Sequence, residues 1–187
     1  MAQEPSSRIA ELEARFREIT RLLYDTRVPR ALLRERVHPH LAPHVTFVDP
    51  WVIVHGKRAF VDGLAGFHCI IYFDFEIFQV AVHLDEHGER GRAMVDGVMN
   101  LRQLRFYTYP LRTILVYDFT LFPDGVLLIE KLEELWSYGD MIANAPLLVG
   151  RFYNRVFRPA AGRFFLALFR AGCALFGDEA TRERRRR

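Results

Sequence analysis

Around Tyr72 the period of the hydrophobic pattern changes, and no other feature of this 187-residue chain restricts its fold as much. Before that point apolar residues recur at spacings of three and four, as on one face of a helix; after it they lie in extended runs separated by turn residues. Ile9, Leu12, Phe16, Ile19 and Leu23 predict an amphipathic helix from about Ser7 to Tyr24, with Ser6 or Ser7 as N-cap. Pro29 opens a second, short helix that carries Leu32, Leu33 and Val37 and ends near His38-Pro39. Val45 to Pro50 reads as a short strand closed by proline. A third helix, from about Gly56 to Ile71, sets Phe60, Leu64, Phe67 and Ile71 on one face.

Beyond Tyr72 the chain reads as strands. Asp74 to Leu84 is rich in β-formers, and the polar stretch His87 to Gly91 turns it into a second run from Arg92 to Phe106. Tyr109-Pro110 interrupts the pattern, Leu111 to Phe122 resumes it, and Pro123-Asp124-Gly125 turns the chain into Val126 to Ser137. Helices first and long antiparallel strands afterwards make an α+β pattern, and the alternation a doubly wound sheet requires is missing.

Charge divides the chain as sharply as periodicity does. From Pro146 onward ten arginines face only Asp178, Glu179 and Glu183, a local charge of +7 that leaves −4 for the rest of a chain whose total is +3. A mildly acidic body with a basic tail argues against nucleic acid as partner and points the tail toward an anionic surface. Cys69 and Cys173 stand far apart without metal-ligand spacing, so neither a disulfide framework nor a zinc site is expected. The first residues show no secretory pattern, and an intracellular protein is expected.

A helix pair, then Phe47-Val48-Asp49-Pro50, then Gly56 opening a helix ahead of four long strands, resembles the nuclear transport factor 2-like superfamily from about Ile9 to Ser137. The resemblance implies a cystatin-like cone: N-terminal helices packed on a curved antiparallel sheet around a pocket, here with C-terminal amphipathic helices added. Glu130-Lys131-Leu132-Glu133-Glu134-Leu135 running into an aromatic, proline-broken segment is similar to a fungal, sporulation-associated subgroup that ends in a hydrophobic segment and has no established reaction. The wider superfamily serves as dehydratase, ketosteroid isomerase, polyketide cyclase, epoxide hydrolase, transport adaptor and subunit scaffold, so function rests on the site.

Catalytic members of that superfamily set a carboxylate with a His or Tyr in the pocket, where an apolar wall raises the carboxyl pKa toward the working pH. Asp49, His55, Tyr72, Asp96, Asn100, Tyr117, Asp118 and Glu130 are the residues of the right type. Asp96 interrupts the apolar strand Ala93 to Met99: it is a base if it faces inward, and a partner for an arginine on a neighbouring strand if it faces out. Asp49, before a proline, is placed to cap a turn or to face a ligand. Tyr72, Tyr117 and His55 are the candidate donors to a developing oxyanion. His38, His40 and His44 lie among prolines with no carboxylate or cysteine to complete a metal set, and no cofactor motif is present.

Residues 1–140 are thus expected to form the cone, 141–177 a basic amphipathic extension and 178–187 a disordered Arg-rich tail. Between Asp140 and Asp178 there is no acidic residue; Arg151, Arg155, Arg158, Arg163 and Arg170 alternate with Phe152, Phe157, Phe164, Phe165 and Phe169. Basic and aromatic residues so interleaved suit an interfacial helix on a membrane with anionic lipids, although Pro159 should break or kink it. A membrane span is disfavoured, since each arginine would cost about 2.5–3.5 kcal/mol near a bilayer centre. Packing on the domain itself, or against a homodimer partner or larger assembly, remains the competing use. The leading expectation is a membrane-held adaptor or scaffold, or a binder of a lipophilic small molecule, without catalysis; the alternative is a cofactor-independent isomerase, dehydratase or cyclase acting on an apolar ring.

Overall fold

A computed structural model describes residues 5–104, 107–145, 148–168 and 171. The chain clusters into two compact units, Met1–Asp140 and Met141–Arg187.

In the first unit, helix α1 (Pro5–Leu23) opens two residues before the expected start, at Pro5. Proline suits a first helical turn because the amide it lacks would be unpaired there. Ser6 and Ser7 therefore lie inside the helix, and neither is its N-cap. Helix α2 (Arg30–Arg36) follows, with Pro29 as N-cap, then a single 3₁₀ turn at His38–His40. Strands β1 (Leu41–Val48) and β2 (Ile53–His55) precede helix α3 (Lys57–Ile70). The N-cap of α3, Gly56, has a φ of 87°, a left-handed value that glycine tolerates without a Cβ clash. Strands β3 (Phe73–Leu84), β4 (Arg90–Leu104), β5 (Tyr107–Leu121) and β6 (Leu127–Trp136) complete a meander.

The six strands form one curved sheet in the order β2-β1-β6-β5-β4-β3, antiparallel throughout except where β1 runs parallel to β6. The sequence pattern missed β2 and began β5 too late, at Leu111: β5 starts at Tyr107 and runs unbroken through Pro110. Pairing of β5 with β6 begins only at Thr113, so Pro110 sits beyond that ladder, where a missing N–H is tolerated. Bulges bend the sheet. In β3 the register slips between Ile77 and Gln79, opposite Gly97, where a β-carbon would lie on the Glu76 carbonyl and the Phe75 ring.

The core lies between the helices and the inner face of this sheet. Phe16 of α1 packs on Tyr117 and Phe119 with ring centroids 5.2 and 4.9 Å apart, and Ile19, Leu115, Ile129 and Leu132 are buried around them. Each such side chain contributes about 1.5–3 kcal/mol of burial.

The second unit is helical. Helix α4 (Tyr138–Ala143) begins at the boundary, and helix α5 (Val149–Phe152) passes into a π-helical stretch, Tyr153–Phe157, then into helix again over 158–168. Of the break or kink expected at Pro159, the break does not occur. A π turn bonds i to i+5 and is wider, so it accommodates a proline whose ring would clash with the carbonyl four residues back.

Candidate functional site

A carboxylate reaches the inner face of the sheet because β6 bulges. Phe119 pairs with Ile129 and Asp118 with Lys131, so Glu130 is the extra residue. Strict alternation from Leu127 and Ile129 would have aimed Lys131 and Glu133 inward. The bulge reverses the phase: Leu132 and Glu134 face inward, and Lys131 and Glu133 pair with each other on the outer face at 2.5 Å.

Glu134 thereby borders a cavity of about 170 Å³. Its walls are apolar, with Leu23 from the end of α1, Phe60, Leu64 and Phe67 from α3, Phe73 from β3 and Leu132 from β6. Tyr24, the residue after α1, is buried with its ring 5.5 Å from that of Phe75, and its hydroxyl donates to Glu134 Oε1 at 2.6 Å. The Trp136 side chain, two residues along the same strand, also favours the ionised form of Glu134. Asp49 contributes the remaining carboxylate of the cavity wall. Its Oδ1 accepts the backbone amides of Trp51 and Val52 at 2.6 and 2.7 Å, fixing the turn between β1 and β2.

Burial dominates the electrostatics. Glu134 retains some accessible surface because it faces the cavity, but protein surrounds it otherwise, and loss of water pushes its carboxyl up to about 7. The Tyr24 hydrogen bond opposes that rise, and the nearby Asp49 carboxylate adds to it. Tyr24 is itself held well above the ordinary tyrosine value, first by burial and then by Glu134, so it stays a neutral donor. At neutral pH Glu134 can therefore both release and accept a proton, next to a fixed hydroxyl and in an apolar space.

Of the residues singled out in the sequence, Asp49 alone borders this cavity, and it combines turn capping with a ligand-facing position. For Asp96 the catalytic role is corrected and the alternative holds: it lies on the outer face, paired with Arg112 of the neighbouring strand, which also covers the Phe78 ring at 5.0 Å. Its Oδ1 is enclosed without a hydrogen-bond partner among the described residues. Tyr117 is fully buried in the core, sharing a 2.9 Å hydrogen bond with Thr20. Tyr72 is exposed, and His55 is exposed beside Thr46 at 3.2 Å. Asn100, Asp118 and Glu130 are engaged on the outer face by Asp74, Arg92 and Thr120. Phe169 and Arg170 lie outside the described residues, as do 178–187.

Sequence reasoning missed Glu134 and Tyr24. A signal for Glu134 was present: the apolar positions of β6 shift by one residue between Ile129 and Leu132, which marks a bulge and reassigns the face of everything beyond it. No local signal joins Tyr24 to a strand 110 residues away. Among the described residues no group of His, Cys, Asp and Glu is placed to hold a metal ion, and no helix is long and apolar enough to cross a membrane.

No family model matches the chain, and no curated protein does. Solved structures do. ActVI-ORFA from Streptomyces coelicolor superposes with a TM-score of 0.54 at 13% identity, over 69% of this chain and 97% of that one. Nuclear transport factor 2 from Cryptosporidium parvum gives 0.54 at 13%, over 73% and 99%. A candidate scytalone dehydratase from Novosphingobium aromaticivorans gives 0.54 at 10%, over 71% and 84%. The chain thus has the fold of nuclear transport factor 2-like proteins. The comparisons do not establish the narrower fungal, sporulation-associated resemblance.

Proposed function

We propose that the first unit binds a small apolar molecule bearing one polar group, and that Glu134 exchanges a proton with it in a cofactor-independent isomerisation or dehydration. The observation that carries this reading is the Glu134 carboxyl, pushed to about 7 inside an apolar cavity and hydrogen-bonded to Tyr24. A purely structural cavity gains nothing from a carboxyl there, since burying it without a task costs stability. A dehydratase or isomerase needs that group, because a carboxyl with a pKa near the working pH serves as base and as acid in successive steps. The fold neighbours span a transport factor and a candidate dehydratase, so they are compatible with binding and with catalysis alike.

Size narrows the ligand. An apolar cavity of about 150 Å³ is known to admit benzene, so 170 Å³ suits one six-membered ring with a short substituent. Fused ring systems would need the mouth to open further. In the proposed chemistry Glu134 removes a proton from carbon beside a carbonyl, or protonates a departing hydroxyl. Tyr24, released from Glu134 as ligand enters, donates to the oxygen on which charge develops.

Calorimetric titration with monocyclic phenols and cyclohexenones tests the pocket, using Leu64→Trp to fill it. Binding by the wild type and its loss in Leu64→Trp is the expected result. Failure of the whole panel, or binding indifferent to Leu64→Trp, rejects the pocket reading. Binding that persists in Glu134→Gln, without any solvent-deuterium exchange into a bound ketone by the wild type, leaves a carrier and rejects the enzyme.

A further inference from the structure

The second unit holds a feature the cavity does not explain. Between Val149 and 168 the chain is helical throughout, and the π-helical stretch Tyr153–Phe157 sets the phase between its two halves. An α-helix advances about 100° per residue, and a π turn about 20° less. Five π residues therefore retard the second half by about 90° relative to an unbroken α-helix.

That retardation aligns two chemical faces. On the corrected wheel Arg151, Arg155 and Arg163 fall within about 30° of one another, whereas Phe152, Val156, Phe157, Phe164 and Leu168 lie within about 85° on another side; of the other exposed apolar residues Phe165 falls outside that side and Leu166 beside the arginines. Without the π turn Arg163 would stand about 120° from Arg151, beside the apolar groups. Side-chain contacts agree with the retarded phase: the Arg158 guanidinium lies 6.0 Å from the Tyr153 ring five residues back, and Tyr153 stacks on Phe157 at 5.5 Å. Arg158 also donates to Asn154 Oδ1 at 3.3 Å; it stands about 110° from Arg151, apart from the arginine row, and is tied down within the helix.

The apolar face is uncovered. Phe152, Val156, Phe157, Phe164 and Leu168 are each more than half exposed. A single exposed aromatic needs no explanation, but five large apolar side chains aligned along one helix do. The segment 141–177 contains no acidic residue, so nothing in it offsets the arginines.

We infer that this helix lies in the headgroup region of an anionic lipid bilayer, with the Phe152–Phe164 face in the acyl boundary and Arg151, Arg155 and Arg163 on phosphates. Charge selects this occupant. The arginines flank the apolar strip along its length, so a partner must offer apolar depth and anionic charge together, repeated along about 25 Å of helix. Anionic bilayers do so at every point of contact, and aromatic rings with arginines that reach outward suit that boundary. The helix is too interrupted by charge to cross a membrane and is placed to rest on one. This inference is independent of the cavity reading.

The test uses full-length protein and two exposed-residue variants, floated with vesicles of phosphatidylcholine alone or with about 30% phosphatidylserine, at low and high salt. Each arginine near an anionic surface contributes about fivefold to partitioning. Arg151→Glu/Arg155→Glu/Arg163→Glu should therefore lose roughly 100-fold or more on anionic vesicles. Phe157→Ser/Phe164→Ser should lose binding on both vesicle types. Unchanged far-UV circular dichroism and urea midpoint show that the variants fold. If the wild type stays at the bottom of the gradient, or floats equally on neutral vesicles regardless of salt, the inference is overturned. A dimer by light scattering that Phe157→Ser/Phe164→Ser dissociates, with no vesicle binding, assigns the face to a second copy and overturns it as well.

Discussion

Replacing Glu134 with glutamine should abolish part of the pH dependence of the protein's stability. In the folded chain burial pushes this carboxyl up to about 7, against an ordinary value of 4.5. Through the window between those values the native state keeps a proton that the unfolded chain has released, so stability falls as pH rises and levels off above about 7. Each pKa unit corresponds to about 1.4 kcal/mol, so the full effect is about 3.5 kcal/mol, of which about 3 kcal/mol falls between pH 4.5 and pH 8. Glutamine has the same shape, still accepts the Tyr24 hydroxyl and does not ionise, so Glu134→Gln should show none of this loss. His38, His40 and His68 are held below their ordinary values by burial and act in the opposite sense, costing stability as pH falls. They are common to both proteins and cancel in the difference. Urea denaturation at pH 4.5 and pH 8 with a common m-value reads that difference directly. The variant should gain about 3 kcal/mol on wild type between the two pH values. A gain below about 0.5 kcal/mol would place Glu134 in a water-like environment and refute both the raised pKa and the acid–base role built on it.

Other outcomes follow from the same geometry. Tyr24→Phe removes a hydrogen bond that favours the ionised carboxylate, so carbon-13 NMR titration should show Glu134 titrating still higher; a fall would mean that Tyr24 does not donate to it. Asp96→Ala should leave ligand binding unchanged and alter stability by no more than about 1 kcal/mol, since its ion pair with Arg112 is half-exposed and on the outer face. Lost binding would return Asp96 to the site. Gly97→Ala should cost about 1–3 kcal/mol in urea unfolding, because the new methyl meets the Glu76 carbonyl and the Phe75 ring; a neutral result would mean the strands can separate there without penalty.

The periodicity change at Tyr72 was enough to specify three helices followed by a meander, because apolar spacing reports which side of an element meets the core. Turn chemistry located the β5–β6 hairpin at Pro123-Asp124-Gly125, where Gly125 has a φ of 83°. Asp49 could be named because its neighbours, Pro50 and the turn it caps, are local. The extent of β5 could not be read, since the effect of Pro110 depends on whether β6 runs alongside it. Tyr24 and Glu134 were hidden for a related reason. Whether a strand residue faces in or out depends on every residue of register before it, and one extra residue, Glu130, exchanges the faces of Lys131 and Glu134. In the C-terminal helix the arginines and aromatics were plain in the sequence, but their separation into two faces depends on the turn before Pro159. Composition and spacing determine which elements form and which residues are able to carry charge or chemistry. Register, bulges and helix phase determine which of them meet, because these properties belong to pairs of segments and to accumulated rotation along a chain, and no short stretch of sequence contains them.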